Sequence, residues 1–253
     1  MLNLYDVNGL IAWDEREIRL RETMIAHFAD EVRSFLRSVN PAWDVRRVEA
    51  PLITPRALIS PAYSNADIWA QERLTAHETD LVLRPETTAS TYAYMQQLLN
   101  NHTGARMPLC VFQAGKSFRR EQDQATKHMR LKEFWQMEFQ CAYTADTAND
   151  YHAACLEPVR KMIAAVIPMP TRIVPSDRLP AYSQTTRDVE VDNGDKWMEV
   201  CSISRRTDFP QKARFANKRN EIVEKDILVL EIAIGLDRCV YNWSIADARE
   251  AAV

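Results

Sequence analysis

Apolar residues recur at helical spacing in two long segments of the chain. The first segment covers residues 14–38 and is followed by Asn40-Pro41, which ends a helix. Its apolar positions are Ile18, Met24, Ile25, Phe28, Val32, Phe35 and Leu36. The second segment covers about 146–166, where Ala153, Leu156, Val159, Ile163 and Val166 share one helical face. A shorter helix is predicted over about 86–100, because Pro85 suits the first turn of a helix.

Most of the remaining apolar segments are typical of strands. Residues 109–118 and 132–141 are rich in β-forming residues, whereas 121–130 is polar, so a β-hairpin with a long loop is predicted. Further strands are predicted at 43–50, 80–84, 170–175, 186–191, 197–204 and 227–234, the last entering a helix at Gly235. Because strands outnumber helices and hairpins are frequent, we expect an α+β fold with an antiparallel sheet flanked by helices.

Composition narrows the class of protein. The 253 residues can bury one large core, and the net charge of −3 is not that of a generally basic nucleic-acid binder. The five cysteines are dispersed, without metal-ligand spacing, as in a reducing compartment. Neither a membrane-spanning apolar run nor a signal pattern is present, so a cytoplasmic location is expected. No glycine-rich phosphate loop occurs, so side chains must hold any nucleotide.

One polar and aromatic segment suits a nucleoside triphosphate. Phe118-Arg119-Arg120-Glu121 ends the first strand of the predicted hairpin, and Arg130 and Phe134 begin the return. The planar guanidinium groups of arginines match phosphate or carboxylate oxygens in pairs. An aromatic ring offers a flat face for a purine. The segment therefore predicts a nucleotide site under a loop that can close over its ligand.

The pattern F-R-x-E, a loop, then R-x-x-x-F resembles motif 2 of the class II aminoacyl-tRNA synthetases. Ile234 to Arg238 resembles their motif 3, and Val45 to Pro51 is the less specific match to motif 1. The segments 83–87, 182–190 and 206–209 resemble parts of the glycyl-tRNA synthetase catalytic domain. The resemblance implies the class II catalytic fold, activation of an amino acid with ATP and Mg²⁺, and a homodimer built on motif 1.

The same resemblance implies roles for the nucleotide-binding residues. Arg119 would pair with the α-phosphate and the amino-acid carboxylate, and stabilise the charge of the transition state. Arg130 and Arg238 would hold the γ-phosphate, and Arg238 would also cover the adenine on the face opposite Phe134. Of the carboxylates, Glu121 would face the adenine amino edge, and Glu231 would contact magnesium.

Two glutamates correspond to the amino-acid pocket of the glycyl family. Glu86 and Glu138 would hold the α-ammonium group in a small acidic cavity, and Glu138 alternates with the apolar Met137 and Phe139 on its strand. Where the family has a serine before motif 3, this chain has Ala233. The two glutamates make glycine the first expected substrate, and the loss of the serine hydroxyl that helps to read glycine leaves another small amino acid as the second.

The sequence does not identify the acceptor of the activated amino acid. We expect one catalytic domain over residues 1–253 without an anticodon-binding domain, so a tRNA would be recognised by its acceptor end. A carrier protein or another non-tRNA acceptor is the alternative, and so is a catalytically silent accessory or binding subunit. The basic residues expected to contact tRNA are Arg205, Arg206, Lys212, Arg214, Lys218 and Arg219.

Overall fold

The computed structural model describes residues 2–3, 9–61, 63, 81–100, 106–120, 129–145, 150–177, 179–216 and 222–251. Its strands are β1 (Leu2–Asn3), β2 (Ile11–Ala12), β3 (Asp44–Arg47), β4 (Ile53–Pro55), β5 (Leu81–Leu83), β6 (Leu109–Phe118), β7 (Glu133–Thr144), β8 (Thr171–Pro175), β9 (Ser183–Asp192), β10 (Trp197–Arg206), β11 (Ala213–Ala216), β12 (Ile222–Lys225) and β13 (Ile227–Gly235). Its helices are α1 (Glu15–Val39), α2 (Thr88–Asn100), α3 (Tyr151–Val166) and α4 (Leu236–Glu250).

A seven-stranded sheet in the order β3-β6-β7-β13-β10-β9-β8 organises the molecule. Neighbouring strands run antiparallel except β3, which lies parallel to β6. The predicted hairpin is confirmed as β6 and β7, and the predicted strands between 170 and 234 are confirmed as β8, β9, β10 and β13. The expectation of an antiparallel sheet flanked by helices is therefore confirmed, with one parallel edge strand that the sequence pattern did not indicate.

Three helices cover one face of this sheet. Helix α1 begins at Asp14, whose side chain accepts from the amide of Glu17 while the Glu17 carboxylate accepts from the amide of Asp14. Its buried residues, among them Phe28 and Leu36, join residues of α3, α4 and the sheet in one apolar cluster. Burial of this continuous apolar layer is the main stabilising contribution to the fold.

Helix α2 packs on the opposite face of the sheet. Its buried Met95 and Leu98 contact Leu109, Val111 and neighbouring apolar residues near one end of the strands. The rest of this second face carries polar side chains and forms the floor of a cavity. None of the described helices is long and apolar enough to cross a membrane.

The two-stranded pairs β1–β2, β4–β5 and β11–β12 lie outside the main sheet. Sequence reasoning predicted β5, as a short strand over 80–84, but did not predict β11 and β12. These last two strands are short and flank a polar stretch, so their apolar pattern is weak.

Candidate active site

Strand alternation sends apolar and polar side chains to opposite faces of the sheet. In β7, Met137 and Phe139 enter the core, so Glu138 and Gln140 face the other way. The register sets Glu138 opposite Ala233 of β13 and Gln140 opposite Glu231. The central strands therefore present a row of polar residues on the face that α1, α3 and α4 leave uncovered.

A cavity of about 280 Å³ opens on this polar face. Every described residue that the sequence assigned to the site lines it, and these are Glu86, Arg119, Arg130, Phe134, Glu138, Glu231 and Arg238. Glu121 lies outside the described residues. Residues separated by up to 152 positions in the chain thus share one cavity, and their roles in binding stay predictions.

Three buried glutamates gather at one end of the cavity. Glu86 precedes α2, whereas Glu138 and Glu231 project from neighbouring strands of the sheet, and each is at most 5% exposed. Thr88 donates to both strand glutamates, at 3.3 Å in each case. Such a concentration of carboxylates favours a cationic ligand, because burial next to like charges penalises their ionised form.

Glu138 shows this penalty most clearly. Burial raises the pKa of Glu138 to about 7, and the charges of Glu231 and Glu86 act in the same direction. Hydrogen bonds from Thr87 lower the pKa of Glu138 and so oppose these effects. The Thr87 amide donates to Glu138 Oε2 at 3.1 Å, and the Thr87 hydroxyl donates to the same oxygen. Burial likewise raises the pKa of Glu86. A substrate ammonium group would offset both penalties.

Glu231 is engaged by protein donors. Arg206 Nη1 donates to its Oε2 at 2.6 Å, and Gln140 Nε2 donates to the same oxygen at 2.7 Å. Arg206 is 1% exposed, lies 3.8 Å from the ring centre of Tyr182, and forms a second ion pair with Asp208 at 2.7 Å. The magnesium role assigned to Glu231 stays a prediction.

The position of Arg206 corrects the predicted basic surface. Arg206 is buried behind the acidic wall of the cavity, where it pairs with Glu231, so it cannot contact tRNA. The other described members of that set form ion pairs, Arg205 with Asp150, Lys212 with Asp226 and Arg214 with Glu224. Lys218 and Arg219 lie outside the described residues. The alternating faces of β10 explain why adjacent Arg205 and Arg206 have different environments.

Arg119 connects the acidic end of the cavity with the ring of Phe134. Its Nε donates to the Pro85 carbonyl at 3.0 Å, and its Nη2 donates to the Tyr63 hydroxyl oxygen at 3.0 Å. The Tyr63 hydroxyl in turn donates to Glu86 at 3.1 Å. The guanidinium also lies 5.1 Å from the ring centre of Phe134. Arg119 is thus held in place by neutral acceptors, with its cation beside both the buried glutamates and an aromatic ring.

Arg238 and Arg130 lie at the other end. Arg238 is in the first turn of α4, where its Nε donates to the Met129 carbonyl at 3.2 Å and its Nη1 donates to the Glu199 carbonyl at 2.8 Å. The Glu199 carboxylate lies 3.4 Å from Arg238 Nη1. Arg130 is exposed and lines the same cavity. The guanidinium groups of Arg130 and Arg238 therefore lie at the solvent-accessible end of the cavity. Such groups pair well with phosphate oxygens.

Sequence reasoning missed Tyr63, Tyr182 and Glu199 as cavity residues. No local pattern around Tyr63 or Glu199 distinguishes them from surface residues. Tyr182 and Arg206 did belong to segments that resembled the glycyl family, but Arg206 was interpreted as a surface residue. Because Arg205 and Arg206 are adjacent at the end of β10, the local pattern does not show which of the two is buried.

Comparison with known proteins agrees with this geometry. The family model of the tRNA synthetase class II core domain (G, H, P, S and T) matches residues 71–242. Among curated relatives, the glycine–tRNA ligase of Mycoplasmopsis synoviae is 28% identical over 170 residues, which are 62% of this chain and 38% of the relative. That of Cutibacterium acnes is 32% identical over 136 residues, 50% of this chain and 28% of the relative. The chain thus spans less than half the length of these relatives.

Solved structures show the same fold. The Giardia lamblia prolyl-tRNA synthetase in complex with prolyl-adenylate aligns with a TM-score of 0.68 at 19% identity, covering 94% of this chain and 49% of that one. The Cryptosporidium parvum prolyl-tRNA synthetase, complexed with halofuginone and AMPPNP, aligns with a TM-score of 0.73 at 14% identity, covering 97% and 49%. With the family model matching most of its length, the chain belongs to the class II tRNA synthetase core domain family.

Proposed function

We propose that the protein activates a small amino acid, glycine first, with ATP to form an aminoacyl-adenylate, and transfers it to the acceptor end of tRNA. The observation that carries this proposal is the placement of Arg119 between two unlike ends of one cavity. Three buried carboxylates lie at one end and Arg130 and Arg238 lie at the other. An amino acid and a nucleoside triphosphate have the matching charges.

In the proposed reaction Arg119 neutralises two anions that must approach each other. The substrate carboxylate attacks the α-phosphate, forming the adenylate and releasing pyrophosphate. Arg119 is already fixed by the Pro85 carbonyl and the Tyr63 hydroxyl, so it needs little reorganisation as charge develops. Phe134 offers its ring to the adenine, and Arg238 and Arg130 bind the outer phosphates.

Glu86 and Glu138 bind the substrate ammonium group in this scheme. The ring of Tyr182 lines the same cavity and stacks on the buried Arg206 guanidinium, so this wall cannot easily move to admit a substituent on the α-carbon. Ala233 opposite Glu138 lacks a hydroxyl that could bond a polar substituent. Glycine and similarly small amino acids fit these constraints.

Magnesium bound with ATP would neutralise phosphate charge, and carboxylate oxygens are the ligands it prefers. Two glutamates of the cavity fit this requirement. Glu231 is the one that the sequence suggested, but its Oε2 already accepts from Arg206 and Gln140. Glu199 lies beside Arg238, with a side chain that is 43% exposed. We therefore propose Glu199 ahead of Glu231 as the magnesium contact.

The curated relatives are tRNA ligases, so we propose tRNA rather than a carrier protein as the acceptor. A cytoplasmic location, where ATP and tRNA occur together, is part of the same proposal. We also propose a homodimer with an isologous interface built on α1 and β3. Sedimentation equilibrium tests the assembly, and a monomer at micromolar concentration would contradict it.

Amino-acid-dependent exchange of pyrophosphate into ATP tests the activation step. Arg119→Ala should reduce exchange by about 10²–10³, because it removes an electrostatic contact of the transition state. Arg120→Ala is the matched control, since Arg120 is exposed and adjacent, and it should stay within about twofold. A protein that neither binds ATP nor exchanges pyrophosphate with any amino acid would instead be an accessory or binding subunit.

A further inference from the structure

Among the residues that the structure describes, Arg84 is a buried cation with no carboxylate in direct contact. It is 2% exposed, and its side-chain donors bond neutral oxygens. Nε donates to the Lys116 carbonyl at 2.8 Å, and Nη1 donates to the Ala50 carbonyl at 3.2 Å and to Gln113 Oε1 at 2.9 Å. No carboxylate of the described residues forms an ion pair with it. Burying a charge in this way is costly, so packing alone does not explain its presence.

Gln113 extends this set of hydrogen bonds to the beginning of α2. It is fully buried, and its Nε2 donates to the Thr87 carbonyl at 3.2 Å and to Thr91 Oγ1 at 2.7 Å. The guanidinium of Arg84 and the amide of Gln113 therefore join three chain segments. These are the segment that follows β3, at Ala50, the strand β6, and the turn that leads from β5 into α2.

The turn at residues 85–87, which these hydrogen bonds hold, contacts three groups of the cavity. The Pro85 carbonyl accepts from Arg119, the Glu86 carboxylate accepts from Tyr63, and the Thr87 amide donates to Glu138. The backbone of Arg84 is itself bonded to the hairpin, because the amide of Phe118 donates to its carbonyl at 2.9 Å. A displacement of this turn would move all three groups together.

We propose that Arg84 is a positioning residue that fixes the turn 85–87, and through it Glu86, Glu138 and Arg119, in their relative geometry for amino-acid binding. This inference rests on the proposed function for its kinetic consequence, but not for its structural one. The planar guanidinium serves several carbonyls at fixed angles, which a lysine ammonium cannot reproduce.

Gly115 provides an independent way to displace the guanidinium. A Cβ at this position of β6 would overlap Arg84 Nη2. The contact is with the end of a side chain, which could ordinarily move aside, but here the hydrogen bonds to Ala50, Lys116 and Gln113 hold it. Gly115→Ala should therefore reproduce the effect of Arg84→Lys while leaving Arg84 and its charge in place.

Pyrophosphate exchange gives the kinetic test. Arg84→Lys and Gly115→Ala should each raise the amino-acid KM about tenfold and leave the ATP KM within about twofold, as expected when hydrogen bonds to a charged group are lost. A general loss of folded protein would lower kcat and leave both KM values unchanged. Arg160→Lys on the outer side of α3 is the matched control, because Arg160 bonds Glu157 and Thr171 far from the cavity.

Hydrogen exchange of the ligand-free protein gives a test that needs no activity. Peptides covering 84–91 should exchange about tenfold faster in both variants than in the native protein or Arg160→Lys, whereas peptides of α3 should not change. Native exchange at 84–91 in both variants would overturn the inference, and so would an unchanged amino-acid KM. If the native protein lacked pyrophosphate exchange, the proposed function would fail while hydrogen exchange would still decide the role of Arg84.

Discussion

Removing Arg206 should destabilise the protein strongly. The residue is 1% exposed and forms ion pairs with Glu231 at 2.6 Å and Asp208 at 2.7 Å. Arg206→Met roughly preserves the buried volume but leaves Glu231 beside the other buried glutamates without its cation. Breaking a buried ion pair from one side costs about 3–5 kcal/mol. With a urea m-value of about 2–3 kcal/mol/M, the midpoint of unfolding should fall by about 1–2.5 M.

The loss of stability in Arg206→Met should also depend on pH, and it should grow as the pH rises. Burial already raises the pKa of Glu138 to about 7, and removal of a neighbouring cation raises it further. Between the ordinary glutamate pKa and this folded-state pKa, the folded protein binds a proton that the unfolded chain has released. Stability of the variant therefore falls as pH rises through this window. The difference from the native protein should be largest near about pH 8 and smaller near about pH 5.5.

Two further variants make this reasoning refutable. Arg205→Met is the matched control, because Arg205 pairs with the half-exposed Asp150 and should lose less than about 1 kcal/mol. The double variant Arg206→Met/Glu231→Leu removes both partners and should recover much of the loss. Urea unfolding at several pH values measures all of them. An equal loss in the two arginine variants, or a loss independent of pH, would show that buried charge is not the cause.

Other predictions concern the proposed reaction. Glu138→Gln should raise the amino-acid KM at least about tenfold without changing the ATP KM, and equal effects on both would contradict separate subsites. In the native enzyme, kcat/KM for the amino acid should rise with pH through about 7 as Glu138 ionises, and a titration of exchange rate against pH should show no such rise in Glu138→Gln. Arg238→Ala should mainly raise the ATP KM, which saturation kinetics measures. Glu199→Gln should raise the magnesium requirement more than Glu231→Gln does, and the reverse order in a magnesium titration would restore Glu231 as the metal contact.

Much of the fold could be predicted because its elements have strong local patterns. The helical spacing over 14–38 corresponds to α1, and the β-forming runs on either side of the polar loop correspond to β6 and β7. Short motifs around Arg119, Phe134 and Arg238, taken with the family resemblance, indicated residues that line one cavity. These features depend on neighbours within a few residues, where side-chain direction follows directly from helix or strand geometry.

Features that depend on distant partners could not be predicted in this way. The parallel pairing of β3 with β6 is one, and the entry of Tyr63 and Glu199 into the cavity is another. The sharpest case is Arg205 and Arg206, which have the same chemistry and adjacent positions. Strand alternation requires them to face opposite ways, but only the positions of Asp150 and Glu231 decide which one is buried. The sequence alone determined that the two would differ, and the tertiary structure placed Arg206 where a buried carboxylate offsets its desolvation.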